Sequence, residues 1–365
     1  MLRRSVRGLC LSGSLTASTL VAQATRPIRV CAGGDMMLGS NLPPRGGAPP
    51  EVAAPGEADL LRLVAPLTPL FDGADIAVLN VEGAIGAGPA PAKCSPTSTS
   101  CWAFRQPIAA ARAYRAVAPG AVVVGGIANN HALDAGGEGF RQTAAHLRQA
   151  GVLVTGADSL PTMVPVAGGD SVAVLAFSTF AAGPNARDLA AVRRHVARAA
   201  ARTPRVIVSV HHGAEGRGAQ RTADRLETYL GENRGNPVAF ARTAVEAGAS
   251  LVFGHGPHVL RAAEWRDDAL VFYSLGNLLT NGPFGVADPN GRGAVACAEI
   301  APDGRVARGW IRSTRQVRPG ALIADPEARA AWLIDSLGRL DFPNSGARVA
   351  PSGEITNPSA TRRSP

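Results

Sequence analysis

Two histidines, His255 and His258, follow a short apolar run and flank a Gly-Pro pair. The run at 251–253 has the composition of a buried strand, and glycine and proline end strands because they interrupt the hydrogen-bonded ladder. Neutral imidazole is the commonest side-chain ligand of metals in proteins. The pattern therefore predicts a pair of metal ligands at the end of a strand, against the alternative of two ordinary loop histidines.

Other polar residues stand in the same kind of position, directly after apolar runs. Carboxylates, amides and imidazoles without a thiolate suit manganese, iron(II) or zinc, in one or two ions, better than a cysteine-rich structural zinc site. Such ions could activate a water molecule and neutralise oxygens of a phosphate or carboxyl substrate, with Glu82 as the candidate bridge. The candidate metal ligands are Asp35, Glu82, Asn130, His211, His255 and His258.

Further residues could act on a substrate or support these ligands. His131 directly follows a candidate ligand and could serve as a general acid or oxyanion stabiliser. Asp134 could orient the His131 imidazole, or could instead cap a helix or form a turn. Glu215 either holds a ligand imidazole or is a solvated loop residue. Arg105 is either an anion clamp or a surface residue, and Asn277 either forms a turn or contacts the site.

Apolar runs alternate with helix-like segments along most of the chain. This alternation predicts an α/β sandwich, in which ligands collect beyond the carboxyl ends of the strands. The six polar clusters should then share one rim of the fold. The strand-like runs that end in these clusters are 28–32, 75–79, 122–127, 206–210, 251–253 and 270–273, and helix-like segments include 58–70, 140–149, 188–202 and 237–247.

The C-terminal part is expected to extend the sandwich. Residues 294–300 and 306–312 indicate a hairpin, and 326–340 a last helix with Asp325 as N-cap and Pro326 at its first position. From residue 343 the sequence is rich in proline, serine and arginine, which is typical of a flexible tail. The predicted organisation is a leader at 1–24, a main domain at 25–290, a completing hairpin and helix at 291–342 and a tail at 343–365.

The first residues resemble a signal peptide. Arginines precede a mildly apolar stretch at 9–21, and residues 22–24 match the small-x-small pattern of a cleavage site. We expect export to the periplasm or the cell exterior, without a permanent anchor, because the apolar stretch is too short to span a bilayer.

Four cysteines follow the leader. Cys94 and Cys101 bracket a loop rich in serine and threonine, which suits a short disulfide in an oxidising compartment. Cys31 and Cys297 lie in apolar, strand-like runs and are expected to be buried thiols.

Composition excludes several classes of function. The chain has 365 residues, 46% of them hydrophobic, and a formal charge of +9, which allows one large or two modest domains. Its basic residues are scattered and no aromatic residues interleave with them, so nucleic-acid binding is not expected. Neither a Gly-x-Ser-x-Gly elbow nor a Walker-type phosphate loop occurs, so the serine hydrolase and P-loop classes lack their required residues.

Seven motifs follow one another at residues 34–39, 80–83, 104–107, 128–136, 210–215, 254–259 and 273–277. In this order they resemble the motifs of the CapA family of capsule and poly-γ-glutamate biosynthesis proteins. The resemblance implies a metallophosphoesterase-like (calcineurin-like) fold, an α/β/β/α sandwich of four layers with a metal centre at one edge of its two sheets. Carried over motif by motif, it implies that the six candidate ligands form the metal shell and that His131 is catalytic, with Asp134 beside it.

Four positions depart from the related proteins. Related phosphoesterases usually begin with Asp-x-His, whereas Met37 stands at the position of that histidine, so one metal ion is an alternative to two. Within the family, His212 stands where tryptophan is common, Gly256 where a second histidine is common and Leu278 where phenylalanine is common. Changes in pocket lining of this kind affect substrate specificity.

Together these features predict an exported metal-dependent hydrolase of capsule or poly-γ-glutamate biosynthesis, with manganese, zinc or iron as cofactor. It would cleave a phosphoester or an amide in an anionic surface polymer or in a small phosphorylated or γ-glutamyl substrate. Capsule assembly proteins are expected partners, whereas nucleic acid and a stable membrane span are not expected. The alternative is a non-catalytic accessory protein that binds or transports the polymer, because fold alone does not establish activity.

Overall fold

The computed structural model describes residues 26–42, 55–95, 97, 101–166, 168–282 and 284–358, so the predicted leader lies outside the described residues. The helices are α1 (Glu57–Val64), α2 (Ala110–Ala116), α3 (Gly136–Gln149), α4 (Leu189–Ala200), α5 (Pro237–Glu246) and α6 (Arg329–Asp341). The strands are β1 (Ile28–Met37), β2 (Ile76–Val81), β3 (Ala84–Ile85), β4 (Arg105–Gln106), β5 (Val122–Gly126), β6 (Leu153–Thr155), β7 (Thr162–Pro165), β8 (Ser171–Ser178), β9 (Val206–His211), β10 (Thr228–Tyr229), β11 (Glu232–Asn233), β12 (Leu251–His255), β13 (Ala263–Arg266), β14 (Ala269–Phe272), β15 (Asn277–Thr280), β16 (Arg292–Ile300), β17 (Val306–Val317), β18 (Ala321–Ala324), β19 (Arg348–Val349) and β20 (Glu354–Thr356).

Two sheets face each other. The larger has the strand order β19-β20-β17-β16-β1-β2-β5-β6, with β15 beside β1 and β18 beside β17, and the smaller has the order β13-β14-β12-β9-β8-β7. In the larger sheet β1, β2, β5 and β6 run parallel, and in the smaller sheet β8, β9, β12 and β14 do so. Parallel neighbours end at the same edge of a sheet, which gathers the polar residues that follow these strands.

Alternate residues of the strands fill the core between the two sheets. In β1, Val30 and Ala32 face this inner core, whereas Cys31 faces the helices outside the larger sheet. In β12, Phe253 faces inward and Val252 outward. The alternation follows from strand geometry, since successive side chains point to opposite faces.

Helices form the outer layers. α1, α2 and α3 cover the outer face of the larger sheet, and α4 and α5 cover that of the smaller sheet. α6 closes one edge, where Ala331 and Ile334 reach the inner core. The protein is therefore the four-layer α/β/β/α sandwich predicted from the sequence. No helix in the described ranges is long and apolar enough to cross a membrane.

Proline shortens the first predicted helix. α1 ends at Val64 and continues as a 3-10 helix, Ala65–Phe71, instead of running to residue 70 as an α-helix. Pro66 and Pro69 lie in this segment and lack the backbone N–H that an α-helix needs. The last helix also differs, because α6 begins at Arg329 rather than at Pro326.

The cysteine prediction is half correct. Cys94 and Cys101 form the expected disulfide. Cys31 and Cys297 are buried, but they also form a disulfide, so the prediction of free thiols is wrong. The pairing arises because β1 and β16 are antiparallel neighbours in which these two residues lie directly opposite each other.

The predicted flexible tail begins at residue 343. The structure describes it as far as Pro358, and residues 359–365 lie outside the described residues. β19 and β20 lie within it, and β20 pairs with β17 at the edge of the larger sheet. The apolar side chains of Val349 and Ile355 belong to the inner core. The composition of this segment is typical of a tail, but a few well-spaced apolar residues are enough to dock it.

Candidate metal centre

Three potential metal ligands meet where β1, β2 and β12 end. Asp35 lies in β1, Glu82 follows β2, and His258 lies in the loop after β12. One donor atom from each lies within 4.8 Å of the other two. The Nδ1 of His258 is 3.0 Å from Asp35 Oδ2, and its Nε2 is 3.5 Å from Glu82 Oε1. Three predicted ligands from distant parts of the chain thus lie together.

Two more predicted ligands, His211 and His255, lie beside this group. They end the neighbouring strands β9 and β12, whose register sets them side by side. His255 Nδ1 is 3.4 Å from Asp35 Oδ1, and His211 Nε2 is 3.9 Å from Glu82 Oε1. The two sheets therefore bring five of the six predicted ligands into contact, and these five residues are called the ligand cluster below.

Asn80, which the sequence analysis did not select, braces the cluster. Its Nδ2 lies 2.8 Å from Asp35 Oδ1 and 3.3 Å from His211 Nδ1. Asn129 in turn donates from its Nδ2 to the carbonyl of Val81 at 2.8 Å. Asn80 stands in the same strand-end motif as Glu82, so a signal was present in the sequence. Its bracing role nevertheless depends on contacts across strands, which the motif does not specify.

Several donor atoms of the centre are buried and have no hydrogen-bond partner within the described part of the chain. An unpartnered buried polar atom costs about 1–3 kcal/mol, so a ligand that satisfies these lone pairs would stabilise the site. Imidazole, carboxylate and amide donors together fit a divalent cation such as manganese, zinc or iron. Such an ion, when bound, would supply Lewis acidity and an activated water. The atoms are Glu82 Oε1, His211 Nε2 and both ring nitrogens of His255, and Asn130 Oδ1, in the loop after β5, is likewise buried without a partner.

Buried carboxylates and imidazoles lie in contact within the cluster, and they shift one another's pKa values. Burial, with the nearby charge of Asp35, raises the pKa of Glu82 well above its usual range. Burial opposes ionisation of Asp35, but the imidazoles of His255 and His258 beside its carboxylate outweigh it and hold the Asp35 pKa well below its usual range. Burial likewise opposes the charged form of His258, but Glu82 and Asp35 outweigh it and raise the His258 pKa. Burial lowers the pKa of His211, which leaves a neutral ring able to donate a lone pair.

His131, Asp134 and Lys93 form a chain of contacts beside the cluster. Asp134 Oδ2 is 2.6 Å from His131 Nδ1, and Asp134 Oδ1 is 2.5 Å from Lys93 Nζ. The backbone N–H of Phe104 also donates to Oδ2, at 2.6 Å. Because a carboxylate only accepts hydrogen bonds, the proton of His131 lies on Nδ1 and its Nε2 is left for a substrate. The geometry favours the orienting role of Asp134 over helix capping, since α3 begins only at Gly136.

Sequence reasoning missed Lys93, which follows a proline-rich stretch and precedes Cys94. Its Nζ also donates to the backbone carbonyl of Asn130, at 3.2 Å. The one signal available was composition, because Lys93 is the only lysine in a chain with 37 basic residues.

A cavity of about 250 Å³ opens beside the cluster. Three aromatic side chains contribute to its wall, and the ring centroid of Phe104 lies 4.6 Å from that of His131. No lysine or arginine of the described chain lines the cavity. The lining residues are Met37, Glu82, Trp102, Phe104, His131, Glu215, His258, Asn277, Thr280, Phe284, Gly285 and Asn290.

Two departures from the related proteins lie at this centre. Met37 lines the cavity and presents a thioether where a histidine would offer a ring nitrogen. Gly256 has a φ of +105°, and a Cβ atom there would lie 3.0 Å from Cδ2 of His211. Glycine at this position therefore leaves space for the His211 ring.

Two of the predicted supporting residues contact His258. Asn277 Oδ1 is 3.0 Å from His258 Nδ1, although Asn277 begins β15 rather than ending a strand. Glu215 Oε2 is 3.9 Å from His258 Nε2, and Glu215 also forms an ion pair with Arg234. Both side chains line the cavity. The structure therefore favours contact with the site over a turn role for Asn277, and support of a ligand imidazole over a solvated loop position for Glu215.

The structure does not bring Arg105 to the cavity. Its guanidinium is buried and donates to Asn41 Oδ1 and to the carbonyl of Gly88, both at 2.6 Å. The structure therefore gives no support to an anion clamp at this cavity, and the burial of Arg105 excludes the alternative of a surface arginine. Arg105 instead braces the loops around β4.

Known proteins similar to this chain point to capsule synthesis. This chain is 28% identical over 177 residues to the capsule biosynthesis protein CapA of Bacillus anthracis, and the aligned region covers 45% of this chain and 42% of that protein. It is 26% identical over 168 residues to the PGA biosynthesis protein CapA of Bacillus subtilis, covering 42% of this chain and 41% of that protein. An uncharacterised Sinorhizobium fredii protein, y4sH, is 33% identical over 128 residues, covering 33% of this chain and 25% of its own length. The chain thus matches less than half of each relative.

A 5'-nucleotidase precursor from Thermus thermophilus is similar in structure, with a TM-score of 0.39 and 11% identity over 87% of this chain and 59% of that chain. The family model described as bacterial capsule synthesis protein PGA_cap matches residues 29–282. Because that match contains the whole ligand cluster and more than half of the chain, the protein belongs to the PGA_cap family of bacterial capsule synthesis proteins.

Proposed function

We propose that the protein is a metal-dependent hydrolase that acts in the synthesis of an anionic capsule polymer such as poly-γ-glutamate. The observation that carries this proposal is the meeting of five strand-end ligands, several with unsatisfied lone pairs, beside an oriented imidazole. Membership of the capsule synthesis family supports the biological role. The bond cleaved would be a phosphoester or an amide.

The roles of the residues follow from their positions. The ligand cluster and Asn130 would hold one or two ions of manganese, zinc or iron. Asp134 keeps the His131 proton on Nδ1, so Nε2 can receive a proton from, or pass one to, a substrate in the cavity. The aromatic side chains of Trp102, Phe104 and Phe284 would limit the access of water to that space.

Metal analysis of the purified protein tests the site. We expect the wild type to bind at least one divalent cation per chain, and the His258→Ala and Asp35→Asn variants to lose most of it. His146→Ala is the matched control, because His146 lies in α3 and lines none of the cavity at the ligand cluster. Wild-type metal content in both cluster variants would disprove the assignment.

A panel of phosphoester and γ-glutamyl substrates, assayed with added manganese, zinc or magnesium, tests the reaction. The His131→Ala variant should lose about 10²–10⁴-fold in turnover while keeping its metal content, as expected for removal of a general acid or base. If the wild type turns over no substrate but binds the polymer, and His131→Ala binds it equally, the non-catalytic accessory function is supported instead.

Export to the periplasm or the cell exterior is part of the proposal. The leader-like sequence at 1–24 supports it, and so do the two disulfides, because disulfides persist mainly in oxidising compartments. N-terminal sequencing of protein from cell fractions should give a chain that begins at Thr25 outside the cytoplasm. Recovery of the uncleaved chain from the cytoplasm alone would contradict export.

A further inference from the structure

Two further cavities lie in a row beside the one at the ligand cluster. The middle cavity, of about 530 Å³, shares Gly285 with the cavity at the cluster. The outer cavity, of about 1130 Å³, shares Asp288, Arg292 and Arg329 with the middle one. The middle and outer cavities together are called the arginine groove below, and they lie between the surface around α6 and Gly285 at the edge of the cavity beside the ligand cluster.

The acidic residues of the arginine groove are already paired. Each of its three carboxylates forms an ion pair with an arginine of the same lining. These pairs cancel one another's charge and contribute little to the net charge of the groove. They are Asp288 with Arg292, Glu327 with Arg329, and Asp335 with Arg339.

Four more arginines give the lining of the groove a net positive charge. Arg217, Arg315, Arg318 and Arg348 line it, and none forms an ion pair with a carboxylate of the described residues. The first three are exposed, so their guanidinium groups are accessible from the groove. Planar guanidinium groups bind carboxylates and phosphates through paired hydrogen bonds.

One wall of the groove is apolar. Trp332 in α6 lines the outer cavity with 69% of its surface exposed. A tryptophan this exposed contributes little to the stability of the chain itself, but it offers a large flat surface to the aliphatic part of a ligand. Positive charge beside an aromatic surface suits a chain that alternates anionic groups with methylene groups.

We propose that the arginine groove binds an extended anionic polymer, with its charged groups on the unpaired arginines and its aliphatic segments on Trp332, and guides it towards the ligand cluster. The occupant that fits both features is poly-γ-glutamate, which carries anionic groups separated by methylene groups, whereas linear polyphosphate has no methylene groups and serves as the comparison polyanion. The inference rests on the proposed function in taking the polymer as what the metal centre acts on. Binding itself requires no turnover.

Calorimetric titration of chelator-treated protein with poly-γ-glutamate, polyphosphate and neutral dextran tests the groove. We expect polyanion binding that weakens with salt, and no dextran binding. The double variant Arg315→Gln/Arg318→Gln should bind about 5- to 30-fold more weakly, since each exposed ion pair contributes up to about 1 kcal/mol. Trp332→Ala should weaken the binding of poly-γ-glutamate.

The matched control is Arg194→Gln/Arg198→Gln, which removes two exposed arginines from α4, a helix that lines no part of the groove. Unchanged binding in the groove variant, or equal weakening in the control, would overturn the proposal, because net charge would then explain the binding. Tighter binding of poly-γ-glutamate than of polyphosphate supports the proposed occupant, and the reverse order would overturn it. Polymer binding without any metal-dependent turnover would refute the hydrolase function but not the groove. Metal-dependent turnover without groove-dependent binding would refute the groove but not the hydrolase function.

Discussion

Lys93 links two parts of the site at the scale of single residues. Its ammonium contacts both the carboxylate that orients His131 and the backbone carbonyl of Asn130. Arginine supplies every other basic side chain of the protein. A compact ammonium can reach two acceptors in a confined loop more readily than a planar guanidinium fork. Lys93 is therefore a positioning residue for the His131 imidazole.

The Lys93→Met variant should lower kcat about 10- to 100-fold with little change in KM, as is typical when a supporting contact behind a catalytic group is lost. Lys93→Arg should recover part of kcat, because it keeps the positive charge. Steady-state kinetics on a substrate of the wild type measures both constants. A raised KM with unchanged kcat would show that Lys93 binds substrate rather than positioning His131.

Gly256 is a second residue with a specific steric role. We expect Gly256→Ala to destabilise the protein by about 1–3 kcal/mol, because the position has a left-handed φ that alanine rarely adopts. It should also lower metal content, since the new Cβ would crowd the His211 ring. Gly218→Ala is the control, because a Cβ there meets no atom within 4 Å. Thermal unfolding and metal analysis measure the two effects, and equal stability of both variants would contradict the steric argument.

At the scale of elements, local sequence signals failed where a distant contact decided the outcome. The segment after residue 343 has the composition of a tail, yet β20 pairs with β17 and places Ile355 in the inner core. The α1 segment shows the converse, because Pro66 and Pro69 act locally and could have been used to end the helix at Val64. The pairing of β20 with β17 could not be predicted from the sequence, whereas the end of α1 could have been.

Deleting everything after Phe342 should destabilise the protein by about 3–6 kcal/mol, because Val349 and Ile355 lose their place in the core and each buried aliphatic side chain contributes about 1.5–3 kcal/mol. A chain that ends at Pro358 keeps these contacts and serves as the control. Chemical denaturation compares the two truncated chains with the full chain. Equal midpoints for all three would mean that the segment does not contribute to the fold.

At the scale of the whole molecule, the two disulfides differ in the length of chain they close. Cys31 and Cys297 are separated by 266 residues and join β1 to β16 within the larger sheet, whereas Cys94 and Cys101 are separated by 7 residues. A crosslink restricts the unfolded chain more when the loop it closes is longer. The first disulfide should therefore contribute more to global stability, and the second mainly to the loop between Lys93 and Trp102.

Replacing Cys31 and Cys297 together by alanine should lower the free energy of unfolding by about 2–4 kcal/mol or more, and replacing Cys94 and Cys101 together should lower it less. Differential scanning calorimetry of the two double variants under non-reducing conditions gives the comparison. A larger loss of stability from the Cys94 and Cys101 pair would contradict the loop-length argument.

The sequence by itself determined the kinds of candidate ligand, their positions after apolar runs, the alternation of strands and helices and the family. These properties follow from hydrophobic periodicity, strand-ending glycine and proline, and ordered motifs, all of which are local along the chain. Only the tertiary structure decided that Asn80 and Lys93 brace the site, that Arg105 donates to Asn41 and that Cys31 bonds Cys297. These outcomes depend on which distant segments become neighbours when the two sheets pack, and no local pattern contains that information.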